Sequence, residues 1–165
     1  AELQKTLSTD SIRLYLSSDP IGAELGGALK NIIAIACGLC VGAGLGDSAR
    51  SALLTRGFAE IVKLATTLGA KQETLYGLSG IGDLVLTCTS PQSRNFSYGF
   101  SIGANLGTKV SSTVEGIATA RAVLKLSIKH IIDMPITKGV VDIIDGSKSV
   151  GFVLSTLLER PLAKE

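Results

Sequence analysis

The sequence predicts a mainly α-helical, multi-helix domain with one short strand near its start. Three observations carry this. Apolar residues recur at offsets of three and four through most of the chain. Capping residues and glycines bracket those stretches where helices begin and end. Strict alternation is confined to Ile12 to Leu16 (IRLYL), with a turn-like SSDP after it. A chain of 165 residues, 45% hydrophobic and 18% charged, is long enough for one domain with a sizeable core.

The strand has no obvious partner within the chain, which marks it as an edge that joins a sheet in a neighbouring domain. Residues 1–18 therefore read as the remnant edge or linker of another domain and 19–165 as the helical domain. Asp19 and Pro20 read as N-cap and first residue of a helix reaching about Gly44, with Ile21, Leu25, Ala28, Leu29, Ile32, Ile33 and Ala36 at helical spacing. Each glycine inside it costs about 0.8–1.0 kcal/mol relative to alanine, so their enrichment points to tight packing or to a ligand near the backbone. Asp47 and Ser48 offer the next N-cap. Ala52, Leu53, Phe58, Ile61, Val62 and Leu64 share a face of the helix that follows, and Gly69 stops it. Glu73 to Tyr76 and Ile81 to Cys88 read as short helical pieces punctuated by Gly77, Gly80 and Gly82, and SPQSRN as a polar interruption. Thr113 begins a helix carrying Ile117, Ala120, Val123, Leu124 and Ile128. Pro135 opens another that Gly146 closes, and Val150 to Leu158 forms the last before Pro161.

Sixteen Lys and Arg against fourteen Asp and Glu give a net charge of +2. The basic residues form no block, so the basic stripe of a nucleic-acid binder is missing. The longest apolar stretch, Ile32 to Gly46, falls short of the roughly 17 to 25 residues of a membrane span and reads as a buried central helix. The start AELQKTLSTD has no basic or apolar signal region, and three cysteines do not make a disulfide framework, so a reducing cytoplasm is expected.

Cys37 and Cys40 (CGLC), with Cys88 and His130, would make up a four-ligand metal set, but the pair lies inside the most apolar helix and reads as packing. No metal is expected. GAGLGD (Gly42 to Asp47) has the wrong spacing for a dinucleotide loop and follows a helix instead of a strand. Lys30, in GGALKN, sits among small residues in a predicted buried helix, where desolvation favours an amine fit for proton transfer, although a snorkelling side chain is equally compatible. Asp83, in SGIGDLVLTCT, is its natural partner, because buried carboxylates are rarely left unpaired. Ser93, Arg94 and Asn95 bring hydroxyl, guanidinium and amide to a helix start, a place that suits a phosphate and equally an ordinary cap.

Four ordered blocks, IGAELGGALKNIIAIACG, GLGDSARSALLTRGFAEI, LSGIGDLVLTCTSPQSRN and VEGIATA, closely resemble the C-terminal domain of bacterial-type NAD(P)-dependent glycerol-3-phosphate dehydrogenases. The resemblance runs from about Asp19 to Pro161. It implies the helical fold of the 6-phosphogluconate-dehydrogenase-like type, with the N-terminal strand left from a Rossmann domain that this chain does not carry. It also implies the substrate-binding and catalytic half of an enzyme interconverting glycerol 3-phosphate and dihydroxyacetone phosphate for glycerophospholipid synthesis. Lys30 would then be the proton acceptor and a substrate ligand. Asp83 and Thr87 would bind and orient the substrate, while Ser93, Arg94 and Asn95 would hold its phosphate. Arg94, Thr113 and Glu115 would face the NAD or NADP, which the Rossmann half would mainly bind. Asn31, beside the lysine, is a weaker candidate. Thr113 stands where the family more often has valine. The family implies a homodimer, and the chain alone is expected to be inactive. The rival readings are the substrate domain of a related hydroxy-acid dehydrogenase and a non-catalytic helical dimerisation module in which Lys30 and Asp83 form a structural ion pair.

Overall fold

A computed structural model describes residues 2–107 and 113–159. The elements are α1 (Glu2–Leu7), α2 (Pro20–Gly42), α3 (Gly46–Thr67), α4 (Gln72–Leu75), a π-helical turn (Leu78–Gly82), α5 (Asp83–Thr89), α6 (Arg94–Gly103), α7 (Glu115–Lys129), α8 (Pro135–Ile144) and α9 (Val150–Leu158). Helix α2 is the axis: every element from α3 to α8 packs on it. Its Leu29, Ile32, Ile33, Ile35 and Leu39 are fully buried against Leu53 and Leu64 of α3, Leu84 of α5 and Ile136 and Val140 of α8. Among the described residues α2 alone is long and apolar enough to cross a membrane, but 67% of its most apolar window is buried inside the protein, as a core helix requires.

Asp19 caps α2 as its sequence position leads one to expect. Its carboxylate accepts from Gly22 N at 2.9 Å and from Lys71 N at 2.8 Å, so one side chain ties the start of α2 to the loop before α4. Those backbone donors, Gly22 first, hold its pKa below the ordinary carboxylate value.

The closest helix pair is α2 with α6. A Cβ on Gly38 would stand 2.1 Å from the Phe96 carbonyl oxygen, and one on Gly42 2.3 Å from that of Phe100. Reciprocally, a Cβ on Gly99 would meet the Ile35 oxygen at 2.1 Å and one on Gly103 the Leu39 oxygen at 2.3 Å. The contacts advance in the same direction along both chains, so the helices run parallel with backbone against backbone. Only glycine at these four positions permits that approach.

The structure corrects the expected strand. No described residue is in a strand, and Ile12, Leu14, Tyr15 and Leu16 are exposed. Alternation alone forms no ladder without a second backbone, and this segment instead folds back on an unforeseen α1, the Leu14 carbonyl accepting from Gln4 Nε2 at 2.7 Å. The cap expected at Asp47 or Ser48 is also displaced. Gly44 and Gly46, both at φ +79, turn the chain earlier, so α3 begins at Gly46 and Asp47 lies in its first turn, paired with Arg50 at 3.1 Å. Helix α7 likewise begins at Glu115, two residues later than expected.

Five helices end alike, with the residue after the C-cap in the left-handed region: Gly44, Gly69, Asn105, Ile131 and Gly146. Ile131 is the exception in kind. The Ile131 N–H bonds the Ile128 carbonyl and the Ile132 N–H the Ser127 carbonyl at 2.8 Å, the full hydrogen-bond pattern of a glycine stop built with a β-branched residue. Its side chain is 93% exposed, so no packing offsets the strain. We expect Ile131→Gly to raise the unfolding free energy by about 1 kcal/mol, read as a higher urea midpoint.

Helix α8 has no side-chain cap of its own; the buried Glu60 of α3 supplies it from a distance, accepting from Ile136 N at 2.6 Å, Thr137 N at 3.1 Å and Thr137 Oγ1 at 2.9 Å. Burial pushes its carboxyl above the ordinary 4.5. The folded chain thus keeps this proton where the unfolded chain has released it. The resulting stabilisation is fully present below pH 4.5 and is lost as pH rises through the raised value. Urea unfolding followed upward from pH 4.5 should show that decline, and Glu60→Gln should remove it.

Candidate functional site

An open cleft of about 460 Å³ lies where α2, α5, α6 and the start of α7 meet, walled among others by Lys30, Asn31, Thr87, Ser93, Arg94, Asn95 and Glu115. The parallel seam explains the meeting. Asn31 and Asn95 are 64 residues apart, the same offset as Ile35 from Gly99 and Leu39 from Gly103, so the middle of α2 is level with the first turn of α6.

On one wall Lys30 forms an ion pair with Asp83, whose other oxygen accepts from Thr87 Oγ1 at 3.3 Å. Both side chains are partly shielded, at 19% and 35% exposure. The π-helical turn sets Asp83 there: a Cβ on Gly80 would stand 1.9 Å from the Leu75 oxygen, so the chain closes tightly on α4 before α5 begins with Asp83.

Also lining the cleft, Ser93 is the N-cap of α6, its hydroxyl accepting from Phe96 N at 3.3 Å. The first N–H groups of this ten-residue helix and the Arg94 guanidinium give that part of the cleft a positive character. Arg94 reaches Glu115 at 3.2 Å across the rim, and both are more than half exposed. Asn95 is buried: its Nδ2 donates to Asn31 Oδ1 at 2.9 Å, and its Oδ1 accepts from Gly116 N at 2.9 Å.

Lys30, Asp83, Thr87, Ser93, Arg94, Asn95 and Glu115 thus converge, and Asn31 joins them. Thr113 is exposed and not among the cleft-lining residues. GAGLGD is the α2–α3 turn, as a glycine-rich helix end. Sequence reasoning missed the amide chain Asn31–Asn95–Gly116, for which the one available signal was the helix-start position of Asn95. An amine held against a carboxylate in the same cleft as a cationic helix start can exchange a proton with a hydroxyl on an anionic ligand.

The profile described as NAD-dependent glycerol-3-phosphate dehydrogenase C-terminus matches residues 19–155. A glycerol-3-phosphate dehydrogenase (NAD(P)+) of Cereibacter sphaeroides is 58% identical over 163 residues, covering 99% of this chain and 53% of its own length. The one of Paracoccus denitrificans is 56% identical, covering 99% and 52%. A crystal structure of glycerol-3-phosphate dehydrogenase from Coxiella burnetii superposes with a TM-score of 0.91 at 42% identity, over 96% of this chain and 50% of that one. The fold is accordingly that of the helical C-terminal domain, and the chain spans about half the length of the relatives it matches.

Beyond the Lys30–Asp83 pair, the same two helices α2 and α5 hold Cys37 and Cys88, both fully buried, with Cys40 one turn further along α2. The hydrogen bond between Cys37 and Cys88, and then burial, push the Cys88 thiol far up; burial pushes Cys40 up to about 11. His130 is the C-cap of α7, and no group of three or more metal-ligating side chains occurs among the described residues. All three cysteines are buried packing groups. A water-soluble disulfide reagent should leave all three unreacted while it fully labels the denatured chain; rapid native labelling would contradict their burial.

Proposed function

The chain belongs to the family of NAD-dependent glycerol-3-phosphate dehydrogenases, of which it matches the C-terminal part, and from that premise we propose that it is the substrate-binding, proton-transferring half of an enzyme interconverting glycerol 3-phosphate and dihydroxyacetone phosphate. The observation that carries this is the cleft that Lys30, paired with Asp83, lines together with Ser93, Arg94 and Asn95. Amine and phosphate-suited helix start line one site.

Lys30 first passes its own proton to the paired Asp83 carboxylate or to water, and as the neutral amine accepts the proton of the substrate hydroxyl; in the reverse direction the ammonium donates it. Asp83 holds the Lys30 amine at the wall, and Thr87 steadies Asp83. Ser93, Arg94 and the first N–H groups of α6 hold the phosphate, which fixes the distance between the hydroxyl and Lys30. A bound NAD or NADP supplies the hydride acceptor or donor. The open mouth of the cleft, with Arg94 and Glu115 on its rim, fits a nucleotide laid across it and held mainly by the other half of the protein. Residues 1–18, with Leu3, Leu7, Ile12, Tyr15 and Leu16 exposed, suit the boundary with that half. Thr113 and Glu115 lie on the cofactor side in this reading, which also carries a homodimer in the cytoplasm.

The test complements this chain with the remaining N-terminal half of the Cereibacter sphaeroides relative and follows NADH formation. Lys30→Ala should lower kcat by about 10²- to 10⁴-fold with little change in KM, the loss expected of a general base. Arg94→Ala should instead raise KM for glycerol 3-phosphate. Unchanged turnover in Lys30→Ala removes it from the mechanism, and no turnover by the complemented wild type counts against the reading as a whole.

A further inference from the structure

Three hydrogen-bonding groups at the cleft are linked in series: the Gly116 backbone N–H, the Asn95 amide and the Asn31 amide. An asparagine side chain has a donor and an acceptor end that can trade places by a half turn, so its direction is set by what it faces. A backbone N–H cannot trade. It only donates, so it turns Asn95 Oδ1 toward α7 and Asn95 Nδ2 toward Asn31. Asn95 Nδ2 in turn engages Asn31 Oδ1, which leaves the Asn31 amide nitrogen directed the other way, to the cleft that Asn31 lines.

We propose that Gly116 and Asn95 are positioning residues that fix the polarity of Asn31, so that it presents N–H donors to the anion in the cleft. The role of Asn31 as a donor to the substrate phosphate rests on the function proposed above; the polarity itself does not. The packing supports a built device. Asn31 and Asn95 are 8% and 7% exposed. A Cβ on residue 116 would stand 2.7 Å from Asn95 Oδ1 and 3.0 Å from the Asn31 carbonyl oxygen, so only glycine brings its N–H this close. The first turn of α7 has no capping side chain of its own, so Asn95 is also what holds Glu115 opposite Arg94. One amide thus links the anion wall to the rim.

Asn95→Asp separates polarity from mere packing. The carboxylate is nearly isosteric and still accepts from Gly116, but its second oxygen accepts as well, so the Asn31 amide must reverse and turn its N–H₂ inward. In the ¹⁵N-labelled, ligand-free chain we expect the Gly116 amide to stay protected from solvent exchange in Asn95→Asp and to lose protection in Asn95→Leu. The Asn31 side-chain N–H₂ should exchange about tenfold more slowly in Asn95→Asp than in the wild type, as a donor newly engaged inside the protein does. Unchanged Asn31 exchange in a folded Asn95→Asp overturns the proposal. If that variant does not fold, neutron diffraction from the unmodified chain decides: deuterium on the cleft-facing atom of the Asn31 amide supports it, and oxygen there overturns it. Titration with inorganic phosphate then tests the functional reading separately. A shift of the Asn31 N–H₂ resonances supports both, whereas the expected polarity without any shift leaves the relay standing and counts against the anion site.

Discussion

The architecture depends on the direct backbone contact between α2 and α6. Gly38 and Gly42 on one helix, and Gly99 and Gly103 on the other, each sit against a carbonyl of the partner at a distance no Cβ tolerates. Such a contact has a register. Displacing α6 along α2 by a single residue would set side chains such as Phe100 or Ile102 where glycine is required, so the register that places Asn31, Ile35 and Leu39 against residues 64 positions further on is fixed along the seam. Lys30 and Asn31 stand in the middle of α2 and Ser93, Arg94 and Asn95 at the start of α6, so the same offset sets the amine level with the cationic helix start. The cleft geometry is thus a consequence of core packing, and its precision is that of two rigid helices instead of a loop.

Helix starts around this core follow a second rule. Helix α2 is capped by its own Asp19, but α7 and α8 begin after Val114 and Met134, whose side chains cannot cap. The missing acceptors come through space: Asn95 serves α7 and Glu60 serves α8. A cap brought by another helix satisfies the orphaned N–H groups and also pins two elements to each other, which a local cap does not. It follows that these polar groups are buried without being left unpaired.

That rule also explains what could be read in the sequence. Local signals were legible: Asp19–Pro20 at the head of α2, Gly69 and Gly146 as stops, and Val150 to Leu158 as the last helix. Lys30 and Asp83 were legible as a pair because two charges in apolar, glycine-rich runs have few alternatives. Groups acting over long separations were not. Nothing near Pro135 announces that Glu60 will cap it, nothing near Gly116 announces Asn95, and the alternating apolar positions Ile12, Leu14 and Leu16 cannot show whether a partner strand exists. Ile131 was illegible for another reason: its stop is carried by backbone geometry that a β-branched residue disfavours. The glycines were noticed as a sign of close packing, but their pairing across two helices needed the fold.

The two ion pairs at the cleft differ in a way that matters for the proposed chemistry. Arg94 and Glu115 are 58% and 60% exposed, and a pair so open to water is held by at most about 1 kcal/mol. An arriving phosphate, with two charges and several acceptors, competes readily for that guanidinium. Lys30 and Asp83 are more shielded, anchored on helices in the core, and Asp83 is further tied to Thr87. Removing water strengthens such a pair and restricts its motion. A mobile cation suits capture of an anion, whose position varies as it enters, whereas a proton acceptor must stand within hydrogen-bond reach of one particular oxygen. In the proposed reaction, the difference in burial between these pairs thus assigns anion capture to Arg94 and proton transfer to Lys30 within a single cleft.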